Sequence, residues 1–151
     1  MDTTSSVRNK VLTILIQSLS MKISTRDKCQ VEISMMKSYL DVVFYNLHQF
    51  AYVEESTFVC SLIVIDRLLQ SDSSLIDKSN LYLFIIGGVY ISTKINQDIY
   101  NPHSFKYFSC MSSLQLIQIE NIILSQLDYN VYINEDTYNI YYSYLNKFRL
   151  Q

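Results

Sequence analysis

Gly87, Gly88 and Pro102 are the only glycines and the only proline in a chain of 151 residues. All-β sandwiches and barrels need turn residues at regular short intervals, and this chain does not supply them. Long apolar runs with so few breakers predict helices. The most apolar of these runs, LYLFIIGGVYIST from Leu81, carries no charge until it meets Lys94. It is too short for a membrane span and is read as a buried core helix.

The helical period recurs along the chain. Val11, Leu12, Leu15, Ile16, Leu19 and Ile23 form one apolar stripe, which predicts a helix over about 6–23. The polar stretch STRDKCQ reads as a loop. Met35, Met36, Tyr39, Leu40, Val43, Phe44 and Leu47 predict a second helix over about 33–49. A third begins at Glu54-Glu55-Ser56, acids suited to a helix N-terminus. From Phe58 to Leu69 it is apolar nearly all round, as the central helix of a bundle is. A fourth spans about 79–95, and its Gly87-Gly88 pair suits a place where another helix comes close. Pro102 suits the first turn of a short fifth helix. Ser112 or Ser113 can cap a sixth. LDYNVYI alternates and looks extended. A last helix runs over about 136–148, with Tyr138, Tyr141, Tyr142, Leu145 and Phe148 on one face. The expectation is one all-α domain over 1–151, with a core at about 33–130.

A net charge of -2 without any Lys/Arg cluster argues against nucleic-acid binding. A hydrophobic content of 49% argues against disorder. Cys29, Cys60 and Cys110 are odd in number and show no CxxC spacing, so they read as reduced, mostly buried and intracellular. Arg8-Asn9-Lys10 before VLTILI lacks the small-residue cleavage site of a signal peptide. His48 and His103, the only histidines, lie far from any metal-ligand spacing. Cys110 beside Met111 has no base near it in the sequence. No catalytic residues, metal or cofactor are expected.

Five pieces of the chain, in order, resemble the cyclin box, and in particular the short Pho80-like (P/U-type) cyclins. VLTILIQSLSMKI resembles the first helix of that group. ISMMKSYLDVVFYNL resembles its ISI..YL.RI.KY helix, and TFVCSLIVIDRLL the central helix ending in YIDRL. LYLFIIGGVYISTKINQD resembles the helix ending in AAKF..D. SSLQLIQIENIILSQLDYNVYI resembles EL..LE..FL..LDF.L.V. Three departures stand out. Val42 replaces an arginine, Ile95 replaces an aromatic residue, and Asn96-Gln97 replaces Leu-Asp, although Asp98 is kept.

The resemblance implies a cyclin-box bundle of five core helices with flanking N- and C-terminal helices. It implies a regulatory subunit without chemistry of its own, which binds and activates a cyclin-dependent (CDK or Pho85-like) protein kinase in cell-cycle or nutrient control. Lys94 and Glu120 match the lysine and glutamate that cyclins use to hold backbone groups beside the kinase αC helix. Ile95, Leu124, Tyr129 and Val131 match the apolar contacts around that pair. Asp66 and Arg67 match a DR pair that ties helices together inside the domain. Read without the resemblance, Lys94 is a cation at a helix C-terminus and Glu120 belongs to a solvated face.

Two other readings stand beside this one. A non-activating helical adaptor could keep the fold and bind another protein, with Lys94 and Glu120 apart or paired internally. A helical hydrolase or small-molecule-binding domain would need a deep pocket with converging polar groups.

Overall fold

The computed structural model describes residues 3–23 and 30–149, with side chains described over 7–19 and 33–149. Cys29, the side chain of Ile23 and nearly all of the expected loop at STRDKCQ lie outside the described residues. Seven helices follow in order: α1 (Thr3–Ile23), α2 (Gln30–Phe50), α3 (Glu55–Ser71), α4 (Leu81–Asn96), α5 (Pro102–Ser109), α6 (Ser113–Gln126) and α7 (Glu135–Lys147). No strand occurs among the described residues, and the all-α expectation is borne out. No described helix is long and apolar enough to cross a membrane.

α3 is the axis. Eleven of its residues, from Thr57 to Leu69, are buried, and only Asp66 and Arg67 interrupt that stretch. It packs against α4 most extensively, with α1 and α7 on its other sides. α4 is sandwiched between α3 and α6, while α2 packs on α1 and α5. The two glycines explain the closeness of these helices. A Cβ on Gly87 would stand 2.6 Å from Ile119 Cγ1 of α6, and one on Gly88 would stand 3.1 Å from Ile65 Cδ1 of α3. α6 therefore presses onto α4 through Leu116, Ile119 and Ile123 on its inner face.

Local chemistry sets several helix ends. Asn101 caps α5 by accepting from the Ser104 N–H, with Pro102 in the first turn. Ser112 and Gln115 form a reciprocal capping box at the start of α6. Asn134 accepts from the Thr137 N–H at α7. α6 ends in a left-handed pair, Asp128 (φ 51°) and Tyr129 (φ 60°), whose backbone closes with Tyr129 N–H donating to Leu124 O at 2.8 Å.

Three sequence expectations need correction. LDYNVYI is not extended throughout: Leu127–Tyr129 is the turn that ends α6, and the residues after it run on without strand pairing. In α2, Leu40, Val43, Phe44 and Leu47 are buried as expected, but Met35 and Tyr39 face outward, because the strip buried by α1 and α5 is narrower than the apolar strip. Cys110 is exposed: it sits past the end of α5 in a left-handed conformation, where its thiol accepts a hydrogen bond from Tyr39 Oη at 3.1 Å. Cys60 is buried as read. Arg8 is buried in α1, with its guanidinium over the Tyr45 ring.

Candidate functional site

The last turn of α4 reaches the surface at Lys94, Ile95 and Asn96, while Ser92 and Thr93 stay buried. Gln97 holds this turn in place. The residue is 7% exposed, and its carboxamide makes four hydrogen bonds. Oε1 accepts from Glu54 N–H at 2.8 Å and from Thr57 Oγ1 at 2.6 Å. Nε2 donates to Tyr52 O at 2.7 Å and Ile99 O at 3.1 Å. Asn96 adds bonds to Ser56 Oγ and Thr57 Oγ1. The two residues that depart from the Leu-Asp pattern thus bind the end of α4 to the start of α3. Their amide character in an apolar helix was the available signal, but only the fold shows which groups they meet.

On α6 the inner face is filled by the residues beneath α4, and Ile117, Glu120 and Leu124 fall on the neighbouring strip. Lys94 Nζ donates to both Glu120 oxygens, at 2.7 and 3.0 Å. The Lys94 side chain is 39% exposed and that of Glu120 19%. The ammonium also lies over the Tyr90 ring, 5.1 Å from its centroid. The Glu120 hydrogen bonds raise the Lys94 pKa against a smaller desolvation effect, so the cation is held firmly. The structure therefore brings Lys94 and Glu120 together, as a pair engaged with itself rather than as two separate groups.

Ile95, next to Lys94 in the chain, is 53% exposed, and Tyr129, in the turn that ends α6, is 72% exposed. Leu124 and Val131 are half-buried and pack against the core, so they form the base of this region rather than its outer surface. Ile117, one turn before Glu120, is 51% exposed and was missed from the sequence. Once Leu116, Ile119 and Ile123 are known to face α4, the helical period places Ile117 beside Glu120.

Asp66 and Arg67 reach different elements. Asp66 Oδ2 accepts from Tyr141 Oη of α7 at 2.9 Å. Arg67 Nη1 donates to the Tyr132 carbonyl at 2.7 Å. Together they bind α3 to Tyr132, after α6, and to Tyr141 of α7. Val42, at the departure from the arginine pattern, is exposed on α2. His48 Nδ1 lies 2.8 Å from Val53 O, and His103 is exposed. Among the described residues, no group of three or more His, Cys, Asp or Glu could hold a metal ion.

A groove of about 530 Å³ lies between α1, α2 and Phe148–Arg149. Its polar groups are partly engaged with one another: Lys37 pairs with Asp41 at 3.4 Å, and Thr13 Oγ1 donates to Asn9 O at 2.8 Å.

Residues 3–132 match the family described as Cyclin, N-terminal domain. The chain is 27% identical over 114 residues to Cyclin-U4-1 of Arabidopsis thaliana, covering 74% of this chain and 54% of that protein. It is 26% identical over 114 residues to Cyclin-U4-2 of the same plant, covering 74% and 51%. The chain thus spans about half the length of the curated relatives it matches. No solved structure matches it. With the family match running through six of the seven helices, the chain belongs to the cyclin family.

Proposed function

We propose that this chain is a cyclin-like regulatory subunit, without chemistry of its own, that binds a cyclin-dependent (CDK or Pho85-like) protein kinase and activates it by positioning its αC helix. In a kinase, the αC glutamate must pair with the strand-3 lysine before ATP is held productively. A subunit that binds only that arrangement raises its population by its differential affinity.

The observation that carries this reading is the Lys94–Glu120 pair at a surface with exposed Ile95 and Ile117 beside it. The pair is not saturated. An ammonium has three hydrogens, and two serve Glu120; a carboxylate has about four acceptor positions, and two are used. One donor and two acceptors remain for carbonyls and N–H groups of a partner helix. Pre-pairing fixes both side chains, so less rotamer entropy is lost on binding. Ile95, Leu124, Tyr129 and Val131 supply apolar contact, and Asp66 and Arg67 set the shape beneath it.

The mutual engagement of the pair also favours the second reading, a non-activating adaptor in which Lys94 and Glu120 serve only the fold. A charge swap separates the two. Lys94→Glu combined with Glu120→Lys keeps the internal pair but reverses what a partner meets. The wild type and the swap are each mixed with the cyclin-dependent-type kinases of the source organism, and binding and phosphotransfer are measured. The expected result is binding and activation by the wild type, and at least about tenfold weaker binding by a folded swap, as for truncated charged contacts at interfaces. Equal activation by the swap, or no kinase bound by the wild type, overturns the activating reading.

A further inference from the structure

The groove between α1, α2 and Phe148–Arg149 uses none of the residues of the kinase reading. One wall is Asn9, Thr13 and Gln17 of α1. These stand four residues apart, so they share one strip of the helix and follow each other at about 6 Å along its axis. Lys37 and Asp41 of α2 make the second wall, and the Phe148 ring with Arg149 closes the third.

The groups that face this groove have bonding capacity to spare. Among the described residues, no hydrogen bond engages the Asn9 or Gln17 carboxamide, and no ion pair engages Arg149. Lys37 and Asp41 meet at 3.4 Å with side chains 36% and 41% exposed. Their order on the helix, cation before acid, is the weaker one. The Thr13 hydroxyl donates to Asn9 O and keeps its lone pairs as acceptors.

Spacing and charge narrow the ligand. A carboxamide offers both donors and an acceptor, which is what the N–H and C=O of a peptide unit require. An extended chain turns like groups to one side at every second residue, about 6.7 Å apart, close to the step of about 6 Å on α1. The strip from Asn9 to Gln17 is about 12 Å long, the span of about four extended residues. Two cations, Lys37 and Arg149, line the groove against one acid, Asp41, so it favours an acidic occupant. A lining this polar does not suit an apolar small molecule.

We propose that the groove holds an extended, acidic peptide segment of about four residues, with its backbone bonded by Asn9 and Gln17 and a carboxylate side chain facing Arg149. The site stands whether or not the kinase reading does.

The test titrates three tetrapeptides, blocked at both ends, into the labelled protein. They carry glutamate, glutamine or lysine at every second position and alanine between. Backbone and side-chain amide chemical shifts are followed. Expected are saturable shifts at Asn9, Gln17 and Lys37, with the glutamate peptide bound most tightly and the lysine peptide least. Gln17 and Arg149 are exposed, so neither substitution below threatens the fold. Gln17→Ala weakens all three peptides by about three- to tenfold, the range of one neutral hydrogen bond, because it meets backbone. Arg149→Gln weakens only the glutamate peptide, by at least about threefold. Shifts that do not saturate, shifts that map to another surface, unchanged binding in Gln17→Ala, or equal affinity for the glutamate and lysine peptides overturn the proposal. Blocked glutamate alone binding as tightly as its tetrapeptide shows a simple anion site and overturns it too.

Discussion

Gly87 and Ile119 touch where any side chain on Gly87 would collide: a Cβ there would stand 2.6 Å from Ile119 Cγ1 and 3.0 Å from Ile123 Cδ1. This contact sets the distance between α4 and α6. Glu120 follows Ile119, and Lys94 lies two turns beyond Gly87, so the contact also sets the reach of the ion pair.

Gly87→Ala is therefore expected to destabilise the domain. Overpacking costs about 1–3 kcal/mol, offset by about 1 kcal/mol of gained helix propensity. The net loss of up to about 2 kcal/mol is checked by urea denaturation. Gly88→Ala meets Ile65 less closely, at 3.1 Å from Cδ1 and 3.3 Å from Cγ1, and should cost less than Gly87→Ala. Equal effects of the two substitutions would mean that the α4–α6 contact is not the constraint.

Lys94→Ala and Ile63→Ala should affect different properties. Ile63 is 1% exposed in α3, and its truncation should cost about 2–5 kcal/mol of stability. Lys94 is partly solvated, so its pair contributes at most about 1 kcal/mol to the fold. Its loss should instead weaken kinase binding by about 2–5 kcal/mol. Circular dichroism melts and a binding titration, run on both variants, separate fold from interface.

Gln97→Ala should destabilise the domain by about 2–4 kcal/mol, since it leaves two donors and two carbonyls without the carboxamide that met them. Hydrogen exchange should rise first at Glu54 and in the last turn of α4. A variant as stable as the wild type would show that water replaces the carboxamide without loss.

Stability should fall as pH rises above about 9. Burial pushes the Cys60 thiol up to about 11, and pushes the Tyr138 and Tyr141 hydroxyls up to about 12, with Asp66 adding to the effect on Tyr141. Lys94 is also raised, by its bonds to Glu120. For each group the folded chain holds its proton more tightly than the unfolded chain. The contribution is then complete below the unfolded pKa and is lost as pH climbs through the folded one. Thermal melts between about pH 8 and 12, the window these groups define, should show a monotonic decline. Tyr141→Phe should make the decline shallower.

The helices were legible because their signals are local. Apolar period, Pro102 at the first turn of α5, and the Ser112–Gln115 cap each act within one or two turns of their own chain. The closeness of another helix at Gly87-Gly88 was legible too, since glycine inside an apolar helix rarely has another use. Motif order was enough to identify the cyclin family before any contact was known. Tertiary structure decided the rest, because the deciding partners are distant in sequence. That Lys94 meets Glu120, 26 residues on, depends on how α6 lies across α4. That Gln97 clamps Glu54 and Thr57 depends on where α3 begins relative to the end of α4. Whether Met35 and Tyr39 are buried depends on the width of the surface that α1 and α5 cover. Periodicity assigns residues to a face of a helix; only packing decides which faces are covered and which stay open.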